Sequence, residues 1–198
     1  MRQISINVYQ FDELSDDAKK KALENLRHIN VDGACDDWHE PLIEEFKEDL
    51  KAVGFKPDNV RFRGFWSQGD GASFTGKIVD FVEFCKKTWF RFSKNHMELM
   101  AIAAENWDIR IEREDWHYCH AYTVGAIITG YGLNTYEVRG AKELERFLND
   151  WEVEQAGILY YKLEEEYNHL TSDAEVTETI HANEWEFLAD GKLYKKGA

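Results

Sequence analysis

The stretch Asn59–Phe81, NVRFRGFWSQGDGASFTGKIVDF, decides the fold. Both of its arms alternate apolar with polar residues and are rich in aromatic and β-branched types, as strands with one buried face are. Between the arms, Ser67-Gln68-Gly69-Asp70-Gly71 is polar and glycine-rich, so the chain turns back and the arms pair as a hairpin. Gly69 and Gly71 admit positive φ, and the Asp70 carboxylate between them can accept from neighbouring backbone amides. A sheet that starts from such a ribbon is antiparallel.

Working outward, the same periodicities assign the rest. Toward the N-terminus, Ile4, Ile6 and Val8 alternate as an opening strand, and Ser15 caps a helix whose Ala18, Ala22, Leu23 and Leu26 share a face. A second helix is expected over Asp37–Val53, with Pro41 in its first turn and Gly54 at its end. Beyond the hairpin, Val79–Asn106 has helical spacing that TWFRFSKN interrupts. A second hairpin follows, WDIRIERED with AYTVGAIITG, and WHYCH lies at its turn. Ala141–Leu170 is the longest helical pattern. Ser172 with Glu175 forms a capping box for another short helix, and EWEFLADGKLY closes as a small hairpin at Asp190 and Gly191. The expected class is α+β: a single domain, residues 1–198, in which an antiparallel sheet of hairpins carries helices on one face.

Composition bounds the chemistry. The 198 residues are 43% hydrophobic and 14% aromatic, enough for a large core, and the formal charge of −14 opposes direct nucleic-acid binding. The charge is uneven: Asp12–Lys51 holds 13 acids against 6 bases, whereas Ala52–Gly140 holds 11 of each. Cys35, Cys85 and Cys119 are odd in number and widely spaced, which indicates neither a disulfide framework nor a thiolate zinc site. With no secretory leader at the N-terminus and no long apolar run, a soluble intracellular protein without membrane contact is expected.

The segments FDELSDDAKKKALENLRHINVD, FWSQGDGASF, WHYCHAYTV and LEEEYNHLTSDAEVTETIHANEWEFLADGK resemble the successive landmarks of a family of small, mostly uncharacterised proteins encoded by tailed bacteriophages. The Gln-Gly-Asp-Gly-x-Ser-Phe and His-Tyr-x-His pieces carry the likeness. The resemblance implies a phage context and the host bacterial cytoplasm, and some members bear a loose antitoxin label. The chain departs from that pattern at Trp116, where glycine is frequent, and at Cys119, where an aromatic residue is frequent.

Two turns hold the candidate chemistry. Trp66, Gln68, Gly69, Asp70, Gly71 and Ser73 form one polar rim, and His117, Tyr118 and His120 form the other. If sheet pairing brings them together, Gln68, Asp70, Ser73, His117 and His120 could build a small ligand site or a general base with an orienting carboxylate. Arg61, Arg63 and Lys77 add positive charge for an anionic or nucleotide-like ligand. On a strand the three-residue spacing sends His117 and His120 to opposite faces, so no metal is expected, and no cofactor fingerprint is present. The structural alternative is a capped turn whose polar groups bond the backbone. Acidic helices allow a third reading, imitation of a phosphate backbone. The expectation is an accessory protein that binds a host protein, an inhibitor of a defence or toxin component. The alternative is an enzyme or ligand-sequestering protein built on the two turns.

Overall fold

A computed structural model describes residues 5–32, 37–115, 117–130 and 135–195, without the side chains of 135–137. The fold is α+β. Four strands, β2 (Phe55–Arg63), β3 (Gly71–Ile78), β4 (Trp107–Arg113) and β5 (Val124–Gly130), form an antiparallel sheet in chain order. A separate two-stranded sheet joins β1 (Tyr9–Gln10) to β6 (Glu186–Phe187). The helices are α1 (Asp16–Leu26), α2 (Glu40–Ala52), α3 (Phe81–Thr88), α4 (His96–Asn106), α5 (Thr135–Leu170) and α6 (Asp173–Ala182). By contacts the chain divides into two compact units: the segment up to His39 with the segment from Glu165 onward, and Glu40–Glu164.

The first unit packs α1 on α6. Phe11, Leu14, Ala18, Ala22, Val176, Ile180 and Phe187 make its core. Both helices start on a serine: the Ser15 hydroxyl accepts from Ala18 N and the Ser172 hydroxyl from Glu175 N. Arg27 then ties the pair, donating to the Thr171 carbonyl at 2.9 Å and to Asp173 Oδ1 at 2.8 Å. The closing hairpin turns at Asp190 and Gly191 as expected, with Leu188 N bonded to the Lys192 carbonyl. The opening strand is displaced from its expected place. Ile6 is exposed and only Tyr9 and Gln10 pair, because β6 offers just two residues before its own turn; Ile4 lies outside the described residues.

In the second unit the helices lie on one face of the sheet. Phe74 of β3 is fully buried, its ring 5.4 Å from Phe46 of α2, 5.5 Å from Phe55 and 5.6 Å from Trp151 of α5. Burial of one such ring stabilises by about 2 to 3 kcal/mol. Leu144, Leu148, Trp151, Leu159 and Leu163 give α5 its buried stripe. The helical pattern over Val79–Asn106 divides in two, and the reason is in the residues. Phe90 and Phe92 are both buried, and positions two apart cannot share a helix face, so the chain extends there. Trp89 and Asn95, both with positive φ, bracket the break.

Pairing within the sheet is uneven. β2 and β3 pair from Phe55↔Ile78 to Arg63↔Gly71, with a register shift between Pro57 and Asn59, and β4 and β5 pair over their whole length. β3 and β4 share only Gly76↔Ile111 and Lys77↔Arg110. Phe65 and Trp66, expected in a strand, therefore belong to the loop of the first hairpin. No helix among the described residues is long and apolar enough to cross a membrane.

Candidate functional site

The two turns meet where β3 and β4 are no longer paired. In the first, Asp70 Oδ2 accepts from Ser67 N at 2.7 Å and Trp66 N at 3.1 Å, and Asp70 N donates to the Ser67 carbonyl. The carboxylate thus holds its own loop closed, a role open to aspartate in a tight turn. In the second, Glu114 N and Asp115 N both donate to the Thr123 carbonyl, His117 N donates to Asp115 Oδ1 at 2.7 Å, and Thr123 Oγ1 donates to the His120 carbonyl at 2.7 Å. One backbone bond joins the turns directly, from Cys119 N to the Gly69 carbonyl at 3.2 Å.

Glycine is required on the first turn for contact as much as for conformation. Gly69 has φ +90°, and a Cβ there would overlap the Tyr118 ring; a Cβ on Gly71 would fall against His120. Tyr118 stacks on His120 with ring centroids 5.6 Å apart and planes at 19°, and its other neighbour His117 meets it edge-on at 4.5 Å. Trp66 and Tyr122, one on each loop, are 70% and 78% exposed.

Beneath the turns lies a polar cluster. Ser73 is fully buried and its Oγ accepts from Arg113 Nη2 at 2.9 Å. Arg113 Nη1 donates to the carbonyls of Asp115 and Tyr118 and to Thr123 Oγ1, at 3.1 to 3.2 Å. Burial, then the nearby Arg61 charge, lowers the affinity of that guanidinium for its proton. Glu152 of α5, 2% exposed, sits against the Phe74 backbone amide and near Arg113. Burial pushes its carboxyl up to about 8 despite the opposing pull of the Phe74 amide and of Arg113. Its Oε1 has no hydrogen-bond partner among the described residues, nor has His120 Nδ1.

The nine rim residues distribute as follows. Gly69, Gly71, Tyr118 and His120 are in mutual contact, Asp70 is bonded within its loop, and Ser73 is covered by Arg113. Gln68, Trp66 and His117 are exposed. The three basic residues separate: Arg63 pairs with Gly71 beside the turns and Arg61 with Ser73, whereas Lys77 pairs with Lys56, about 20 Å along β3 from Gly71. No group of three or more His, Cys, Asp or Glu among the described residues is placed to hold a metal ion, and Trp116 lies outside those residues.

Arg113, Thr123 and Glu152 were not singled out from the sequence, yet two of them carry a signal there. Trp107, Ile109, Ile111 and Arg113 keep one alternation, so a guanidinium occupies a core position. Glu152 stands four residues after Leu148 and four before Ala156, on the buried stripe of α5. Charges at such positions are paired or hydrogen-bonded.

The model of a protein family described as Domain of unknown function (DUF8835) matches residues 38–173, a span that contains the whole of the Glu40–Glu164 unit. No curated protein and no solved structure matches the chain.

Proposed function

We propose, for a chain that belongs to the DUF8835 family, that it acts by binding a protein partner through the paired turns. The observation that carries this reading is the exposure of Trp66 and Tyr122, 70% and 78%, on two loops whose backbones are bonded to each other. Tryptophan and tyrosine bury much area at low entropic cost and are the residues that dominate binding hot spots. A support that does not reorganise limits the ordering cost on association. Asp70 and Ser73 are engaged internally, which favours a recognition surface over acid–base chemistry at the same place.

In this reading the partner is a host protein, a component of a defence or toxin system, and the protein is a phage-encoded inhibitor that works in the host bacterial cytoplasm. The phage context comes from the resemblance of the QGDGASF and HYCH segments. A small ligand at the same turns is the rival, and the unpartnered Nδ1 of His120 is what favours it.

The test is quantitative capture from infected bacteria with wild-type protein and a Trp66→Ala/Tyr122→Ala variant. A protein retained by wild type, lost by the variant and bound again by purified wild type in isolation supports the reading. Equal retention by both refutes it. If no protein is retained but nucleotides raise the melting temperature in a manner abolished by His120→Ala, the ligand reading replaces it.

A further inference from the structure

Lys56, Lys77 and Arg110 stand in one row across three strands, paired as Lys56↔Lys77 and Lys77↔Arg110. Their strand neighbours Phe55, Gly76, Ile109 and Ile111 are buried toward the helices, so the three cations share the opposite face of the sheet. At a strand spacing of about 4.8 Å the row spans roughly 10 Å. Like charges directly opposite one another destabilise a sheet. The chain has a formal charge of −14 and acids to spare, yet only Arg110 has a counter-ion, Asp108 at 2.7 Å. The ammonium groups of Lys56 and Lys77 have no ion-pair or hydrogen-bond partner among the described residues. Beside the row is a cleft of about 260 Å³ walled by Asp58, Asn59, Thr75, Arg110, Glu112 and Arg113, and the register shift between Pro57 and Asn59 lies at its edge.

We propose that this open face binds a small phosphorylated ligand of the nucleoside polyphosphate class. Its phosphate chain lies across Lys56, Lys77 and Arg110, and its polar remainder enters the cleft, where the Asn59 amide, the Thr75 hydroxyl and the Glu112 carboxylate offer both donors and acceptors. Clustered ammonium and guanidinium groups are the usual partners of phosphate oxygens. Two features favour a small ligand over a nucleic-acid strand. The paired residues of this face, Asn59, Thr75, Lys77, Arg110 and Ile127 among them, include no aromatic ring on which bases could stack. The carboxylates of Asp58 and Glu112 would also repel a continuous phosphate backbone. The residues given to the ligand, Lys56, Lys77, Arg110, Asn59, Thr75 and Glu112, are no part of the paired turns, so failure of either proposal leaves the other standing.

The experiment is titration calorimetry and thermal denaturation of the full chain at low salt with ATP, tripolyphosphate, single-stranded oligothymidylate and polyglutamate. ATP is expected to bind more tightly than tripolyphosphate and to raise the melting temperature. Lys56→Gln/Lys77→Gln should weaken ATP about tenfold, while Lys86→Gln/Lys87→Gln, on α3 at the helix-covered side of the same unit, leaves binding unchanged. Because the first pair of substitutions relieves a repulsion, the free protein should melt no lower than wild type; Arg110→Gln provides a second, single-site check. Absence of ATP binding, undiminished binding by the double variant, or tighter binding of oligothymidylate or polyglutamate than of ATP would overturn the proposal. Equal affinity for tripolyphosphate and ATP would overturn the role of the cleft.

Discussion

Arg113 and Ser73, forty positions apart in the chain, meet where their strands have ceased to pair, with Arg113 Nη2 2.9 Å from Ser73 Oγ. One guanidinium thereby supplies donors to a strand, to the carbonyls of Asp115 and Tyr118, and to Thr123. It substitutes for ladder hydrogen bonds that β3 and β4 do not make.

Replacement of that residue takes the donor from four acceptors at once, three of them part-buried. Arg113→Met is expected to destabilise the protein by about 3 kcal/mol, since each buried acceptor left unsatisfied is costly. Ser73→Ala removes one acceptor and leaves the other bonds in place, for a cost of about 1 kcal/mol. Urea denaturation of the two variants checks the ordering.

Glu152 makes stability fall as pH rises. Its carboxyl titrates at about 8 in the folded chain against an ordinary 4.5. Between those values the folded state therefore holds a proton that the unfolded state has released. Its favourable contribution is complete below about 4.5 and is lost progressively up to about 8. Glu152→Gln keeps the shape without the titration. The difference in unfolding free energy between variant and wild type should shift toward the variant by roughly 4 kcal/mol from pH 4 to pH 9, and denaturant melts across that range would expose a flat difference as a refutation.

Gly69→Ala strains the backbone and drives a methyl into Tyr118. A loss of about 2 kcal/mol is expected, accompanied by a change in the ring environment of His120, which stacks on Tyr118. The His120 ring resonances report that displacement directly.

Asp70→Ala frees two amides of the first loop, those of Trp66 and Ser67. The cost is about 1 kcal/mol, and limited proteolysis should cut the loop between Gly64 and Asp70 faster than in wild type.

Much of this architecture was legible because hydrophobic period and turn chemistry agree along most of the chain. Ser15 and Ser172 announced their helices, Asp190 and Gly191 their turn, and the alternation of Ile109 and Ile111 their strand. That the two polar turns adjoin depends on the order of strands in the sheet, and there Cys119 N is bonded to the Gly69 carbonyl. Other features depended on tertiary context. Phe65 and Trp66 have strand-like composition, but the register Arg63↔Gly71 ends the ribbon before them. Arg63 and Lys77 are close in the sequence but lie at opposite ends of the β2–β3 pairing, and Glu152 is one acid among many on α5, the others described there being exposed or half-buried.

The two-pair junction between β3 and β4 gives the sheet a perforation line. Each hairpin is a well-laced ribbon, and beyond the two paired positions the ribbons are fastened by the Arg113–Ser73 bond and by the backbone bond from Cys119 to Gly69. Amide deuteration should therefore spread within a ribbon long before it crosses between them, and a single cut stitch should let the ribbons exchange hydrogen on separate clocks.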